Sequence, residues 1–98
     1  MIEILYFEGC PNHGPTIDLV REVLDELVPR AEVREVPVES QESAEALRFV
    51  GSPTVRVNGL DIEPAARDKT AFALSCRMYG GMGVPRKELL VEALREVS

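Results

Sequence analysis

The chain has 98 residues, 45% of them apolar, and a formal net charge of −6. This length suits one domain, because most domains contain about 50–200 residues, and this apolar share can fill one core without several disulfides. The eleven basic residues are scattered along the sequence, which argues against nucleic acid or an anionic membrane surface as the main partner.

The sequence also favours one compartment. No apolar run approaches the ~20 residues that a membrane span needs. The N-terminus shows no basic segment followed by an apolar stretch, so we expect no secretory signal. We therefore expect a cytoplasmic protein, in a compartment where cysteines are more often reactive than structural.

The chain begins with a strand pattern and a helix pattern. The apolar stretch Ile2 to Phe7 predicts a buried strand. Apolar residues at helical spacing over residues 17–28 then predict an amphipathic helix, which Pro29 ends. Pro11 or Pro15 is expected in its first turn, where a missing N–H costs nothing.

A second strand and helix follow. Valines alternate with charged residues over 33–38, which predicts a strand. Residues 43–49 predict a short helix, with Ser40 or Ser43 as its N-cap.

A hairpin and a last helix complete the pattern. Thr54 to Val57 meets Asn58-Gly59, the strongest two-residue hairpin signal, and Leu60 to Ile62 would return beside it. A final helix is predicted from about residue 86 to 97. The order β-α-β-α-β-β-α predicts the α/β class, with a mixed four-stranded sheet.

Residues 64–85 are expected to be irregular, and a segment of this length in a small domain is often functional. An alternative makes Ala71 to Cys76 the second strand of an extended hairpin, in place of Leu60 to Ile62. Residues 79–83 are irregular in either case, because three glycines in four residues destabilise a helix or a strand.

A cysteine motif follows the first strand. Cys10-Pro11-Asn12-His13 places a thiol at a strand-to-helix junction, where free N–H groups and the helix dipole favour the thiolate. His13, one turn further on, would donate to the sulfur or pair with it as a cation. The thiolate attacks disulfides and binds soft metals, so Cys10 is the candidate nucleophile.

A proline motif opens a later strand. Ser52-Pro53-Thr54 puts proline at a first strand position, where it is tolerated. The Ser52–Pro53 bond is expected to be cis, because a cis bond is much less costly before proline than at other residue types.

In element order and in both motifs, the chain resembles the thioredoxin and glutaredoxin superfamily over nearly its whole length. The resemblance implies a three-layer α/β sandwich, with residues 1–98 as one domain. It also implies that the Ser52–Pro53 peptide faces Cys10 across the sheet and leaves backbone groups free to hold an extended peptide or a thiol ligand. The sequence is most similar to small bacterial thioredoxin-like proteins that share Gly-Cys-Pro-Asn, Gly-Ser-Pro-Thr and Cys-Arg-x-Tyr motifs. These motifs are Gly9–Asn12, Gly51–Thr54 and Cys76–Tyr79 here. His13 stands where the dithiol enzymes of the superfamily have a second cysteine, so the motif is monothiol.

Cys76 is the only other cysteine, so Cys10–Cys76 is the one internal bridge available. The topology brings Cys76 towards the sheet edge that carries Cys10. We expect Cys10 to attack in thiol–disulfide exchange, with Cys76 or glutathione resolving the mixed disulfide. Pro11, Ser52, Pro53 and Thr54 would position the partner.

Two other functions stay open. Cys10 and Cys76 could bind a soft metal such as Cu(I) or Hg(II), assisted by Met78, Met82 and His13. Alternatively, the fold serves as a non-catalytic binding module. No resident metal or cofactor is expected, and the expected partners are protein or small-molecule thiols and disulfides. The protein is expected to be a monomer or a weak dimer.

Polar residues near Cys76 complete the candidate site. Arg77 and Tyr79 would line it, with Arg77 holding a glutathione-like carboxylate. The acidic residues Asp61, Glu63 and Asp68 match no calcium loop, and their pattern favours a solvated charged face.

Overall fold

The computed structural model describes residues 1–79 and 81–97, so Gly80, within the stretch predicted to be irregular, lies outside the described residues. Its elements run in the predicted order β-α-β-α-β-β-α. They are β1 (Ile2–Tyr6), α1 (His13–Leu27), β2 (Val33–Pro37), α2 (Gln41–Ala46), β3 (Thr54–Val57), β4 (Leu60–Asp61), a 3-10 turn (Pro64–Ala66) and α3 (Lys87–Glu96).

The four strands form one mixed open sheet in the order β2-β1-β3-β4. β1 pairs with β2 in parallel and with β3 antiparallel, and β4 is antiparallel to β3. Leu5 of β1 is the register partner of Thr54 in β3. The C-terminal end of β1 therefore lies at the same sheet edge as the N-terminal end of β3.

Helices pack on both faces of this sheet. One face buries Ile2 and Ile4 of β1 with residues of α1 and α3, and the opposite face buries Leu5 with Ala44 of α2 and Phe49. Neighbouring residues of a strand point to opposite faces, so β1 contributes to both layers of the core.

α2 differs from its predicted bounds. Ser40 is its N-cap, and the Ser40 side chain accepts a hydrogen bond from the Ser43 backbone N–H at 3.1 Å, so the helix begins earlier than predicted. It ends at Ala46 because Arg48 takes a left-handed backbone conformation, with φ of 55°. The Phe49 N–H then bonds back to the Ala44 carbonyl at 2.8 Å, which is a helix-ending arrangement.

The fourth strand is Leu60–Asp61, and the alternative strand at Ala71 to Cys76 is wrong. Asn58 and Gly59 both have positive φ, the geometry of the tight hairpin turn, and this returns the chain directly beside Val57. Cys76 forms only an isolated parallel bridge with Ser52. Among the described residues, no helix combines the length and apolar character needed to cross a bilayer.

Candidate functional site at the carboxyl end of the first strand

Cys10 lies in the turn that joins β1 to α1. Its N–H donates to the Phe7 carbonyl, its carbonyl accepts from the His13 N–H, and both distances are 3.3 Å. Asn12 is the N-cap of α1, so Cys10 lies two residues before the cap and is not in the first turn of the helix. Cys10 is a free thiol, and 9% of the residue is exposed.

His13 is directed towards the sheet. Its ring stacks on that of Tyr6, with centroids 3.5 Å apart and planes 11° apart. Nε2 lies 3.2 Å from Oε1 of Glu35 in β2, without the alignment of a hydrogen bond. The described contacts of the imidazole are therefore with β1 and β2, whereas the sequence pattern predicted an interaction with the Cys10 sulfur.

The proline motif lies at the same sheet edge as the Cys10 turn. The Ser52–Pro53 peptide bond is cis, as the sequence pattern predicted. The Phe7 N–H donates to Ser52 Oγ at 3.4 Å, which ties the residue after β1 to the residue before the proline. The Thr54 hydroxyl donates to the Gly51 carbonyl and closes the turn around Pro53. Ser52, Pro53 and Thr54 are all buried.

A segment of the chain itself occupies the backbone groups of this motif. The Ser52 N–H donates to the Ser75 carbonyl at 2.8 Å, and the Ser52 carbonyl accepts from the Arg77 N–H at 2.9 Å. The Pro53 carbonyl accepts from the Tyr79 hydroxyl at 2.6 Å. The expectation that these groups are free for a partner is therefore wrong, because residues 75–79 already bind them.

The same hydrogen bonds position the second cysteine. Cys76 is the bridge partner of Ser52, and it is a free thiol exposed to solvent. Ser52 thus lies between the turn that carries Cys10 and the segment that carries Cys76. Both thiols belong to one edge of the sheet, one of them buried and the other exposed.

Arg77 is anchored in a buried ion pair. Only 6% of Arg77 and 7% of Asp61 is exposed, and the guanidinium makes two hydrogen bonds to the Asp61 carboxylate, at 2.7 and 2.8 Å. A third, at 2.8 Å, reaches Glu63. Burial by itself lowers the pKa of Arg77, but the hydrogen bonds to Asp61 and Glu63 outweigh it and raise the pKa. Arg77 was predicted to hold a substrate carboxylate, and carboxylates of its own chain occupy it here.

Tyr79 covers the proline motif from the same segment. The guanidinium carbon of Arg77 lies over the Tyr79 ring, 4.4 Å from the ring centroid. This is a cation–π geometry. Burial raises the pKa of the Tyr79 phenol well above its ordinary value, and the nearby Arg77 charge reduces that shift only in part. Tyr79 thus stays protonated and donates to Pro53.

The loop that follows Tyr79 reaches the cysteine motif. Gly83 has φ of +72°, and a Cβ atom there would lie 2.5 Å from Nδ2 of Asn12. The Gly83 N–H donates to the Met78 carbonyl at 2.7 Å, which closes the loop. Tyr79 therefore contacts the proline motif, and Gly83 lies against the Cys10 turn.

Sequence reasoning missed the role of Asp61 and Glu63. Both were assigned to a solvated face, but both bind Arg77, and Asp61 is buried. One signal was available, because residues two apart in an extended segment share a face. The spacing of Asp61 and Glu63 could therefore have predicted that their carboxylates share one cation, although it could not have identified that cation as Arg77.

An open groove adjoins the Cys10 turn. It has a volume of about 450 Å³ and is lined by Phe7, Glu8, Val38, Glu39 and Leu74. Its walls are mainly apolar, and its two charged residues are acidic. The groove offers room beside the turn for a group attached to a partner sulfur.

Comparison of the chain with protein-family models, curated proteins and solved structures finds no match. Within the described part of the chain, no three His, Cys, Asp or Glu side chains are grouped as ligands for a metal ion.

Proposed function

We propose that this protein is thioredoxin-like and carries out thiol–disulfide exchange, with Cys10 as the attacking thiol and Cys76 as the resolving thiol. One observation carries the proposal. Ser52 is linked to the Cys10 turn through the Phe7 N–H and is the bridge partner of Cys76. The turn and the segment that carry the two free thiols are therefore both bound to one residue at a sheet edge, which suits joint use of the thiols.

The exchange proceeds in two displacements. The Cys10 thiolate attacks one sulfur of a partner disulfide, forming a mixed disulfide and releasing the other partner sulfur as a thiolate. The Cys76 thiolate then attacks the Cys10 sulfur of the mixed disulfide and displaces the second partner thiolate. The partner gains two electrons, and the protein loses two as Cys10 and Cys76 join. Two protons lost by the cysteines balance those taken up by the partner thiolates.

The two cysteines differ in burial, so they have different roles in this proposal. The exposed Cys76 lies on an irregular segment, between the Ser75 carbonyl and the Arg77 N–H that both bond to Ser52, and its attack on Cys10 requires this segment to shift. A disulfide requires the two Cα atoms to come within about 7 Å of each other. Cys10 is nearly enclosed, which favours small disulfides over folded proteins as the first partner. Glutathione is one candidate of this size.

Neighbouring residues have supporting roles in this proposal. Pro11 and Asn12 form the turn between Cys10 and α1, and Asn12 lies against Gly83. His13 fixes the start of α1 on the sheet through Tyr6 and Glu35.

The test is a redox titration in defined mixtures of reduced and oxidised glutathione, read by intact mass after alkylation of free thiols. We expect loss of two hydrogens with both cysteines blocked, at a potential of about −220 to −320 mV. Cys76→Ser should instead accumulate one glutathione on Cys10, and Cys10→Ser should form no internal disulfide. If both thiols of the wild-type protein stay free throughout, the proposal is refuted and a binding module is favoured.

A second candidate function is soft-metal binding. Met78 and Met82 are 57% and 68% exposed, on the same segment as Cys76, and thioether and thiolate groups select Cu(I). Titration of the reduced protein with Cu(I) against a chelator tests it. Binding that is lost in Cys76→Ser and weakened in Met78→Leu would support this function, and binding equal to that of an alkylated control would exclude it.

A further inference from the structure

A second cleft lies on the β4 side of the sheet, apart from the cysteine site. It has a volume of about 150 Å³, and its walls include residues from the end of α2, from β3 and β4, and from the loop after the 3-10 turn. Neither Cys10 nor Pro53 lines it. Its distinguishing feature is its charge. The charged lining residues are Arg48, Arg56, Arg67, Lys69 and Asp61.

The two lining residues with ion-pair partners are already neutralised. Arg67 makes two hydrogen bonds of 2.8 Å to the Glu96 carboxylate. Asp61 is bound on both oxygens by Arg77. Both of these charges therefore have partners that do not line the cleft.

The other three cations keep their charge. Over residues 1–79 and 81–97, no carboxylate forms an ion pair with Arg48, Arg56 or Lys69. Three unpaired cations around one small cleft stand out in a chain with net charge −6. Basic residues that look scattered along the sequence are thus brought together by the fold.

Arg56 is held rigidly at the wall of the cleft. Its Nη2 donates to the carbonyls of Leu47 and Arg48, at 2.8 and 2.9 Å. Burial lowers the pKa of Arg56, and the carboxylates of Asp61 and Glu3 offset this only in part. An anion in the cleft would compensate the remaining cost of burying this charge.

Arg48 is held against one wall of the cleft. Its left-handed φ of 55° belongs to the end of α2. The guanidinium lies 5.2 Å from the centroid of the Phe72 ring, and the Phe72 carbonyl accepts from Gln41 Nε2 at 2.7 Å. Arg48 is therefore stacked on a wall that is itself fixed.

We propose that this cleft is an anion-binding site for a phosphate group. A volume of about 150 Å³ exceeds the roughly 10–15 Å³ that one water needs but is below the roughly 300 Å³ where drug-sized ligands begin. One arginine satisfies a carboxylate in bidentate fashion, whereas three cations on different walls suit a tetrahedral dianion. The ligand is free phosphate or the phosphate end of a small phosphomonoester.

The test is a titration of the reduced, isotope-labelled protein with inorganic phosphate at low ionic strength, followed by amide NMR shifts. We expect saturable shifts confined to residues 47–50, 56–61 and 66–72, and no such shifts with chloride at the same ionic strength. A parallel titration with glycerol phosphate separates the two sources. Tighter binding of inorganic phosphate indicates the free ion, and tighter binding of glycerol phosphate indicates a phosphomonoester.

Variants distinguish phosphate binding at this cleft from a general effect of the protein's charge. Arg48→Gln and Lys69→Gln should each weaken phosphate binding by about fivefold, the effect expected for losing one partly exposed ion pair. Arg34→Gln is the matched control, since it removes the same charge from an exposed position on β2. Shifts that never saturate, or equal weakening in Arg34→Gln, would overturn the proposal. The cysteines take no part, so this result is independent of thiol exchange.

Discussion

The buried ion pair of Arg77 and Asp61 makes a strong prediction about stability. Arg77→Met removes the cation and leaves the Asp61 carboxylate, which is 7% exposed, without its partner. Breaking a buried pair in this way costs about 3–5 kcal/mol. Domains have only about 5–15 kcal/mol of stability in total, so the variant should be close to unfolding. Its midpoint should fall by roughly 12–40 °C, at about 4–8 °C per kcal/mol.

The assay is urea unfolding followed by circular dichroism, with thermal melts in parallel. Arg21→Met is the matched control, because Arg21 is exposed and lies 3.9 Å from Glu35, so it should lose less than about 1 kcal/mol. The double variant Asp61→Leu with Arg77→Met removes both charges and should recover about 2 kcal/mol or more relative to Arg77→Met. A loss of under about 1 kcal/mol in Arg77→Met, with no gain in the double variant, would refute the reasoning.

The remaining predictions concern the same segment and the start of α1. Tyr79→Phe removes the hydrogen bond to Pro53 and should cost about 1 kcal/mol. The free energy of unfolding of this variant should also fall less steeply at alkaline pH than that of the wild-type protein. Because burial raises the Tyr79 pKa above its ordinary value of 10.0, the unfolded state loses its proton first, so stability falls as pH rises beyond that value. Unfolding curves from pH 8 to 11 measure both effects, and equal slopes in the two proteins would contradict this account. Gly83→Ala combines a positive φ with a Cβ atom 2.5 Å from Nδ2 of Asn12 and should destabilise by about 1–2 kcal/mol. Gly14→Ala, in α1 with open space around its Cβ position, should stabilise by about 0.5–1 kcal/mol. Urea unfolding midpoints measure both effects. A loss of stability in Gly14→Ala as large as that in Gly83→Ala would contradict the explanation by the contact between residue 83 and Asn12.

The element order was predictable because each element carries a local signal. The apolar run over β1, the helical spacing in α1 and the Asn58-Gly59 turn depend only on neighbouring residues. The bounds of α2 were less predictable. A left-handed conformation at Arg48 is unfavourable for that residue by itself, and only its surroundings stabilise it.

The candidate site was likewise predictable only in part. The sequence placed Cys10 after β1 and predicted the cis bond before Pro53, because both follow from residue type and strand position. It did not predict that residues 75–79 would bind Ser52 and Pro53, since that segment has no regular pattern of its own.

The sequence by itself determined the α/β class, the order of the elements and the two motifs, because periodicity and turn chemistry are short-range properties. Only the tertiary structure decided which side chains meet. Arg77 is 16 residues from Asp61, and the bridge joins Ser52 to Cys76, so neither pairing has a local signal. Burying a charge or a backbone group requires a partner, and the partner available is set by how the chain folds back over its sheet.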